Sequence, residues 1–397
     1  MRKMTKVGMG GLGAVVLAAS AVGNASADLQ PRGTDAVGVG SDTVQYVVDF
    51  LADGNPAGAG GYNTTNNARR IVSFDATADA SGRAGYQNGT SSTVPFSAVL
   101  RANKKPVTRP NGSGAGISAF NTDTTVPYQI NFVRSSRLPS VAEQTTATTA
   151  GFGGLHVYRI ATDGLQIAVN STAGTGAGGA GGTTANSNAP AGLSCNELVQ
   201  IYKGTYKTWS DVPSYTGPAP ADGIVPIMPQ AGSGTQKDFA ADLQACNGGT
   251  AVTLGGNVVT SEEHDPAAIT NIAAHTDING NPVNKLDAIA PFSTGRDKLI
   301  DTGYFGTTPG PNTVFLLNGA SPDGLAPTSY LLARNLYIIC RDNDVTSATP
   351  FQVGGALNMV NTLFGTSTSW FAKSANSALL SGAGVTQSWA DLGLAHS

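Results

Sequence analysis

Short β-rich runs alternate along the chain with segments whose apolar residues recur at the spacing of one helical face. Residues Ala36–Val39 predict a strand, and the apolar positions over 44–51 predict a helix that ends at Gly54. Residues Ile224–Met228 predict another strand, followed by a helix that contains Phe239. Alternation of strands and helices is typical of α/β proteins, so the pattern predicts this fold class.

Local sequence signals mark further helix starts and loops. A capping box at Ser194–Glu197 opens a predicted helix over 198–202. Asp265-Pro266 opens another over 267–274, because proline is favoured at the first helical position. The remaining assignments are loops over 144–154 and 171–188, both rich in Thr and Gly, and helices over 353–364 and 370–380.

The N-terminus has the three parts of a secretory signal peptide. Three basic residues precede an apolar stretch from Val7 to about Val22, and Ala25-Ser26-Ala27 forms a small-x-small cleavage site. We therefore predict that residues 1–27 are removed on export. No cysteine comes directly after the cleavage site, so a lipid anchor is not expected, and no later stretch predicts a membrane span.

The charge balance argues against a nucleic-acid binder. Removal of residues 1–27 takes away three basic residues and no acids, which leaves 20 basic against 26 acidic residues and a net charge of −6. Nucleic-acid binders show the opposite balance or a basic stripe. The nearest candidate stripe, Arg101, Lys104, Lys105 and Arg109, is short and lacks interleaved aromatic residues.

Cysteine and histidine usage limits the chemistry further. Cys195, Cys246 and Cys340 allow one disulfide and one free thiol in an exported protein, without fixing the pairing. The four histidines have no metal-ligand spacing, so no metal site is expected. A GxGxxG match over 174–179 is not followed by a helix pattern, so no nucleotide cofactor is expected.

Three turns of Gly, Ser and Thr precede predicted helices, at Gly40–Thr43, Asn111–Gly116 and Gly232–Thr235. A helix start offers free backbone N–H groups and a partial positive charge, and the hydroxyl groups add donors. Such turns bind anions without a full countercharge. Ordinary N-capping explains any one turn, but three in one low-charge exported chain predict a ligand site.

These segments, in this order, resemble the phosphate-binding protein of bacterial ABC-type phosphate uptake. The first two turns resemble the two anion loops of that family. Further segments of resemblance are Asn131–Arg137, Leu193–Val212 with its Ile201-Tyr-Lys-Gly and Thr208-Trp209-Ser, the GSGT loop Pro229–Thr235 followed by Phe239, and the returning strand Tyr330–Ile339.

The resemblance implies a type II periplasmic-binding-protein fold, in which two α/β domains joined by two crossover strands enclose a ligand cleft. The crossovers are expected near residues 158–170 and 329–339. Domain I would then comprise residues 28–160 and 336–397, and domain II residues 161–335. Ligands in such folds lie at the carboxyl ends of strands and at helix starts.

The resemblance also implies function: a secreted, monomeric, non-enzymatic solute-binding protein that binds inorganic phosphate or a related oxyanion, without a cofactor, and serves an ABC permease. Within the implied middle domain, Cys195 and Cys246 are the favoured disulfide, since Cys340 falls in the returning strand. The expected ligand-binding residues are Ser41, Asp42, Thr43, Arg109, Ser113, Gly114, Arg134, Ser135, Ser136, Arg137, Ser233, Gly234 and Thr235.

Two positions depart from the family. Pro229 stands where the family has an arginine, and Ser136 stands where it has the aspartate that accepts the proton of hydrogen phosphate. Candidate replacements carry ordinary alternatives: surface solvation for arginines, and helix-start charge bias for an acidic run. The candidates are Arg109, Arg134 and Arg137 for the cation, and Asp42, Asp163 or the run 262–265 for the acceptor.

Two other functional classes stay open. A secreted hydrolase or phosphatase is one, although the chain has no G-x-S-x-G motif and His264 is not tied to a nucleophile by any motif. A surface or matrix protein that reuses the fold is the other, because a transporter's binding component without a lipid anchor needs another means of staying near its permease.

Overall fold

The computed structural model describes residues 31–76, 97–170, 187–190, 192–217, 223–270, 276–282, 287–306, 310, 313–317, 332–346 and 359–397. The predicted signal peptide and nearly all of the Gly-rich segment 171–188 lie outside these residues. The first part of the predicted helix 353–364 and the start of the returning strand also lie outside them.

Ten of the described strands form one mixed sheet, and two short strands form a separate ribbon. The strands are β1 Ala36–Gly40, β2 Ile71–Ser73, β3 Ser97–Ala98, β4 Val107–Thr108, β5 Phe132–Ser135, β6 Leu155–Asn170, β7 Val225–Pro229, β8 Val259–Ser261, β9 Ala288–Ser293, β10 Val314–Leu316, β11 Leu332–Arg341 and β12 Thr386–Asp391.

The described helices cover the sheet, and short 3-10 turns at Tyr62–Thr64, Trp209–Asp211 and Ser374–Asn376 supplement them. The helices are α1 Gln45–Asp53, α2 Ser113–Thr122, α3 Val141–Thr149, α4 Cys195–Tyr202, α5 Gly234–Cys246, α6 Pro266–Thr270, α7 Thr294–Asp301, α8 Asp342–Thr346, α9 Met359–Leu363 and α10 Ser377–Gly382. None of the helices in the described ranges is long and apolar enough to cross a bilayer.

Two parallel groups of strands flank a central antiparallel pair. The order is β2-β1-β5-β11-β6-β9-β7-β8, in which β1 is parallel to β2 and β5, and β7 is parallel to β8 and β9. The central strands β6 and β11 pair from Leu332↔Leu165 to Arg341↔Leu155, with a shift of register between Leu336 and Tyr337. They occupy the positions expected for the two crossover strands, so the predicted α/β class is confirmed.

Strand direction brings two sets of carboxyl ends together. Strand β1 runs in the same sense as β6, because β11 is antiparallel to both β5 and β6. Strand β7 runs in the opposite sense, because β9 is antiparallel to β6 and parallel to β7. The loops after β1 and β7 therefore point at each other across the middle of the long crossover pair.

Separate apolar clusters support the two groups of strands. On the β1 side, Val44, Val47 and Leu51 of the first helical segment pack with residues of α9 and α10. On the β7 side, Leu198 and Trp209 pack with the α5 face that carries Phe239. Val47 is 1% exposed, and the other five of these side chains are fully buried. The burial of Val44, Val47 and Leu51 agrees with the helical periodicity predicted for residues 44–51.

The predicted loop over 144–154 is wrong in its first six residues, which belong to α3. Ser140 and Glu143 form a capping box at the start of this helix. Along it, the hydroxyl groups of Thr145 and Thr149 donate to the carbonyls four residues earlier, at 2.9 Å in both cases. Composition suggested a loop, but the local capping signal decides the structure.

The predicted helix over 370–380 is wrong in its first part. The 3-10 turn Ser374–Asn376 precedes α10, and residues 370–372 form turns. Trp370 donates its indole N–H to the carbonyl of Leu51 at 2.8 Å and packs edge-on against Tyr62. This tertiary anchor, rather than helical periodicity, positions the segment.

Several local predictions are confirmed. The capping box of Ser194 and Glu197 opens α4 with both reciprocal hydrogen bonds. Cys195 and Cys246 form the predicted disulfide, at a sequence separation of 51, and Cys340 is a buried free thiol. Asp265 accepts from the N–H of Ala267 at 2.9 Å, as a residue at a helix start should.

Candidate functional site

The loops after β1 and β7 meet at the middle of the crossover pair. The hydroxyl oxygens of Thr43 and Thr235 are 3.4 Å apart, although the two residues are separated by 192 positions in sequence. Thr235 is fully buried in the first turn of α5, and Thr43 is half-buried. Two of the three predicted turns therefore contribute to a single polar cluster.

Helix capping explains these turns only in part. Ser233 does cap α5, since its Oγ accepts from the N–H of Gln236 at 3.1 Å. Thr43 does not cap α1, whose N-cap is Val44 without a side-chain hydrogen bond. Ser113 does not cap α2 either, because Gly112 occupies that position. The hydroxyls of Thr43 and Ser113 are therefore free for other partners.

Arg334 of β11 supplies a buried guanidinium to the cluster. Its Nη1 lies 2.5 Å from the Thr235 hydroxyl and its Nη2 lies 3.3 Å from the Thr43 hydroxyl. The same guanidinium contacts Asp163 Oδ2 through Nη2 at 2.9 Å and Nε at 3.1 Å. Asp163, one of the candidate acceptors, is thus the ion-pair partner of Arg334, which donates to both turns.

His264 is a neutral donor in this cluster. Its Nδ1 accepts the backbone N–H of Ser293 at 3.1 Å, so the ring hydrogen must reside on Nε2. Nε2 lies 3.0 Å from the Thr43 hydroxyl and 3.2 Å from that of Thr235, and it also lies 3.2 Å from Nη2 of Arg334, which has no acceptor to offer it. Burial, and then the positive charges of Arg334 and Arg296, hold the pKa of His264 well below its usual value.

Glu263 places a buried carboxylate against the same hydroxyls. Its Oε2 accepts from Ser233 Oγ at 2.8 Å and from Thr43 Oγ1 at 3.4 Å. Its Oε1 makes no hydrogen bond to any described residue. The side chain is fully buried, and burial, together with the negative charge of Asp42, raises the pKa of Glu263.

Glu262 connects the second turn to the β7 side. Its two oxygens accept from Asn111 Nδ2 at 3.0 Å each, and Oε1 also accepts from Gln230 Nε2 at 3.0 Å. Burial raises the pKa of Glu262 to about 7. Helix-start charge bias, the ordinary explanation for the run 262–265, is therefore wrong for Glu262 and Glu263, which face the cluster.

The second turn packs directly against the third. The N–H of Gly114 donates to the carbonyl of Gly232 at 3.1 Å. A β-carbon on Gly234 would lie 2.0 Å from Ser136 Oγ and 2.8 Å from Ser113 Oγ, so only glycine fits there. Ser113 Oγ in turn accepts the N–H of Ser136 at 3.0 Å.

The carboxylate of Asp42 forms an ion pair with Arg296, which belongs to α7, the helix after β9. Arg296 Nη2 lies 2.6 Å from Asp42 Oδ2, and the guanidinium stacks 4.6 Å from the ring centre of Tyr46. Arg296 lies in the first turn of α7, which Ser293 caps by accepting the Arg296 N–H at 3.2 Å. The pair joins the loop after β1 to the helix after β9.

The three candidate arginines are not surface-solvated, so that alternative is wrong. Arg134 is fully buried and donates to the carbonyls of Ser41 at 3.2 Å and Gly40 at 3.3 Å, behind the first turn. Arg137 pairs with Glu143 at 2.7 Å. Arg109 is 6% exposed and donates to the carbonyl of Asp75 at 2.9 Å.

The remaining predicted residues lie on both sides of the first turn. Ser41 is fully buried and its Oγ makes no hydrogen bond to any described residue, which leaves a donor inside the protein. Ser135 donates to the carbonyl of Arg137 at 2.6 Å, so its hydroxyl shapes the turn after β5. Of the predicted set, Thr43, Ser233 and Thr235 lie within hydrogen-bonding distance of Glu263 or His264.

Sequence reasoning missed the two cations of the cluster, Arg334 and Arg296. Arg334 is a charge inside the apolar run of the returning strand, and a buried charge requires a partner. Arg296 follows a Ser-Thr-Gly turn that opens α7, a fourth turn of the same type. Both signals are present in the sequence but have no specific spacing.

His264 is not oriented as the general base of a serine-type triad. A serine-type triad needs a histidine whose free nitrogen accepts the hydroxyl proton and whose other N–H meets a carboxylate. His264 shows the reverse, because Nδ1 accepts a backbone N–H and Nε2 faces the threonines as a donor. What converges here is a set of hydroxyl, imidazole and guanidinium donors.

Comparison with known proteins connects this geometry to a family. The model of the PBP superfamily domain matches residues 41–351. Among solved structures, a Clostridium perfringens protein, assigned as a phosphate ABC transporter substrate-binding protein and solved with bound phosphate, is 15% identical with a TM-score of 0.50, covering 89% of this chain and 99% of its own. That likeness and the family match confirm the type II fold.

Another similar structure is an ABC-type phosphate transport receptor from Vibrio cholerae. It is 15% identical with a TM-score of 0.45, and the alignment covers 89% of this chain and 100% of that one. No curated protein matches the chain significantly.

Proposed function

The chain belongs to the family of the PBP superfamily domain, and we propose that it is a secreted solute-binding protein that holds inorganic phosphate or a related oxyanion. The anion would lie where Thr43, Thr235 and Arg334 converge, and the protein would release it without chemical conversion. The observation that carries this proposal is the convergence of one guanidinium on hydroxyls from two separate helix-start turns.

The donor set suits a tetrahedral oxyanion. Arg334 offers a planar fork of N–H donors, which matches phosphate geometry, and Thr43 and Thr235 add hydroxyls. Ser41 contributes a further buried hydroxyl whose donor is not used by the described residues. Arg334 would take the part of the family arginine that Pro229 replaces.

Two domains that close on the anion account for the contacts between turns. We propose residues 28–160 with 336–397 as domain I and 161–335 as domain II, joined by β6 and β11. The contacts of Gly114 with Gly232 and of Asn111 with Glu262 would then form across the cleft on closure. Such closure places an anion between helix starts of both domains.

The same proposal covers location and partners. Residues 1–27 would direct export and be cleaved after Ala27, and the mature protein would act in the cell envelope or outside it. An ABC permease would receive the anion from a monomeric binding protein. The solved Clostridium perfringens protein is named for such transport, which supports this role.

Calorimetric titration of the mature protein with phosphate, sulfate, arsenate and phosphonates tests the function. Thr235→Val removes one hydroxyl from the site and should weaken phosphate binding by about 1.5–3 kcal/mol, or about 10- to 150-fold. Thr145→Val is the matched control, because Thr145 is exposed on α3 and donates only within that helix.

The proposal fails if the wild-type protein binds none of these anions. The proposed position of the anion is wrong if Thr235→Val and Thr145→Val bind phosphate equally well. A thermal shift on phosphate addition gives an independent check, since a ligand that binds only the folded state raises its stability by mass action.

A further inference from the structure

The charges of the described cluster do not balance. Four carboxyl groups surround Thr43 and Thr235, namely those of Asp42, Asp163, Glu262 and Glu263. Two guanidinium groups from the described residues pair with these carboxyl groups. Arg296 pairs with Asp42 at 2.6 Å and Arg334 pairs with Asp163 at 2.9 Å. The two carboxyl groups left without a guanidinium partner among the described residues are those of Glu262 and Glu263.

Glu263 is the one of these two that reaches the threonine hydroxyls. Hydroxyl groups of Ser233 and Thr43 lie at 2.8 and 3.4 Å from its Oε2, while Oε1 is buried without a hydrogen bond to the described residues. The neutral imidazole of His264 lies 3.6 Å away. Glu262 instead accepts from two amides at the edge of the cluster.

An ionised Glu263 conflicts with an anion at this place. Burying a carboxylate without a cation is costly, and a second negative charge in the same low-dielectric site adds to that cost. Protonation removes both penalties. Since Oε2 accepts from hydroxyls, the proton belongs on Oε1, and Oε1 then becomes a hydrogen-bond donor.

We propose that Glu263 is protonated on Oε1 when the cleft holds an anion and donates a hydrogen bond to it, so that the site takes up a proton with its ligand and accepts fully ionised oxyanions such as sulfate. This inference rests on the proposed function and specifies its selectivity. A carboxylate that accepts the proton of hydrogen phosphate would exclude sulfate, whereas a carboxyl donor binds it.

The surrounding charges support a protonated Glu263. Burial raises the pKa of Glu263 and the negative charge of Asp42 raises it further, while hydroxyl hydrogen bonds and Arg334 oppose the shift. The charged and titratable groups that face it are Asp42 from the loop after β1, Glu262 and His264 from its own segment, Arg296 from α7, and Arg334 with its partner Asp163 from the crossover strands.

With sulfate as the ligand, any proton taken up on binding must go to the protein, because sulfate itself stays fully ionised over the pH range of the titrations. We expect the sulfate affinity of the mature wild-type protein, measured by calorimetry, to fall about tenfold per pH unit once pH exceeds the Glu263 pKa. Titrations in buffers of different ionisation enthalpy should show uptake of one proton. Glu263→Gln should bind sulfate with no pH dependence, because its amide donates at every pH.

Asp242→Asn is the matched control. Asp242 is a buried carboxyl two turns along α5 from Thr235, and burial raises its pKa to about 7, so its loss should leave the pH dependence of sulfate binding intact. The inference is overturned if phosphate binds but sulfate does not at any pH. It is also overturned if Glu262→Gln, rather than Glu263→Gln, removes the pH dependence. Absence of binding by both anions would instead reject the proposed function.

Discussion

Arg334 and Asp163 lie directly opposite each other on the two antiparallel crossover strands, and the guanidinium meets the carboxylate at 2.9 Å. Asp163 Oδ1 also accepts from Ser293 Oγ at 3.0 Å and from the N–H of Gly295 at 3.3 Å. The carboxylate therefore orients the guanidinium and ties the start of α7 to the strands about which the two halves would move.

The contacts made by the Arg334 guanidinium are expected to require an arginine at this position. Arg334→Lys keeps the charge but cannot contact Asp163 and both threonine hydroxyls at once, so phosphate should bind about tenfold more weakly by calorimetry. Arg341→Lys is the control, because Arg341 lies on the same strand but packs over Tyr128 at 3.6 Å and is paired with Asp123. That control should lower thermal stability and leave affinity unchanged; equal affinity losses would refute a ligand role for Arg334.

Asp42 is expected to act in closure rather than in selectivity. Its carboxylate is engaged by Arg296, so in a Glu263→Gln background Asp42→Asn should weaken phosphate and sulfate binding to the same degree, by about 1–3 kcal/mol. This background is needed because the negative charge of Asp42 also raises the pKa of Glu263. Calorimetry against both anions measures the phosphate-to-sulfate affinity ratio, and a change in that ratio would restore Asp42 as the proton acceptor and contradict the assignment to Glu263.

The ion pair of Arg137 and Glu143 should make stability depend on acid pH. Burial alone would raise the pKa of Glu143, but hydrogen bonds from Arg137 and the Ser140 N–H hold this pKa below its usual value. A depressed carboxyl pKa contributes stability above the unfolded value, and that contribution is lost as pH falls through the folded value.

Glu143→Gln should therefore cost about 1 kcal/mol at neutral pH and little in acid, as measured by urea unfolding across pH. The exposed variant Thr146→Val on the same helix serves as the reference. A destabilisation by Glu143→Gln that persists unchanged in acid would show that the capping geometry, rather than the charge pair, is responsible.

The disulfide should contribute strongly to stability. Cys195 and Cys246 are 51 positions apart in sequence, and replacing both by serine should cost about 4 kcal/mol in the entropic treatment of a closed loop. Denaturant unfolding of the double variant measures this. Cys340→Ala leaves the bridge in place, and non-reducing peptide mapping should still recover the Cys195–Cys246 pair; recovery of a Cys340 bridge in wild type would contradict the pairing.

Export should leave a defined N-terminus. The small-x-small site predicts cleavage after Ala27, so Edman sequencing of the secreted protein should begin at Asp28-Leu29-Gln30. Ala27→Pro should block processing. Retention of residues 1–27 in the wild-type protein would reject the secreted assignment and the oxidising environment in which the disulfide forms.

The sequence alone determined the parts of the fold whose causes are local. The helical spacing of Val44, Val47 and Leu51, the capping box of Ser194 and Glu197, and the Gly/Ser/Thr turns each act within about one or two turns of chain. The α3 start at Ser140 and Glu143 carried the same kind of signal, although composition obscured it. The favoured disulfide and the crossover strands followed from the ordered resemblance of whole segments.

Only the tertiary structure decided which charges meet. Asp42 and Arg296, Asp163 and Arg334, and Glu263 and Ser233 are separated by 254, 171 and 30 positions, and no local pattern links any pair. Their contacts depend on strand direction and on the register of β6 against β11, which bring distant carboxyl ends together. The state of Glu263 depends on burial and on which cations are already paired, and those are properties of the folded interior that a linear pattern does not contain.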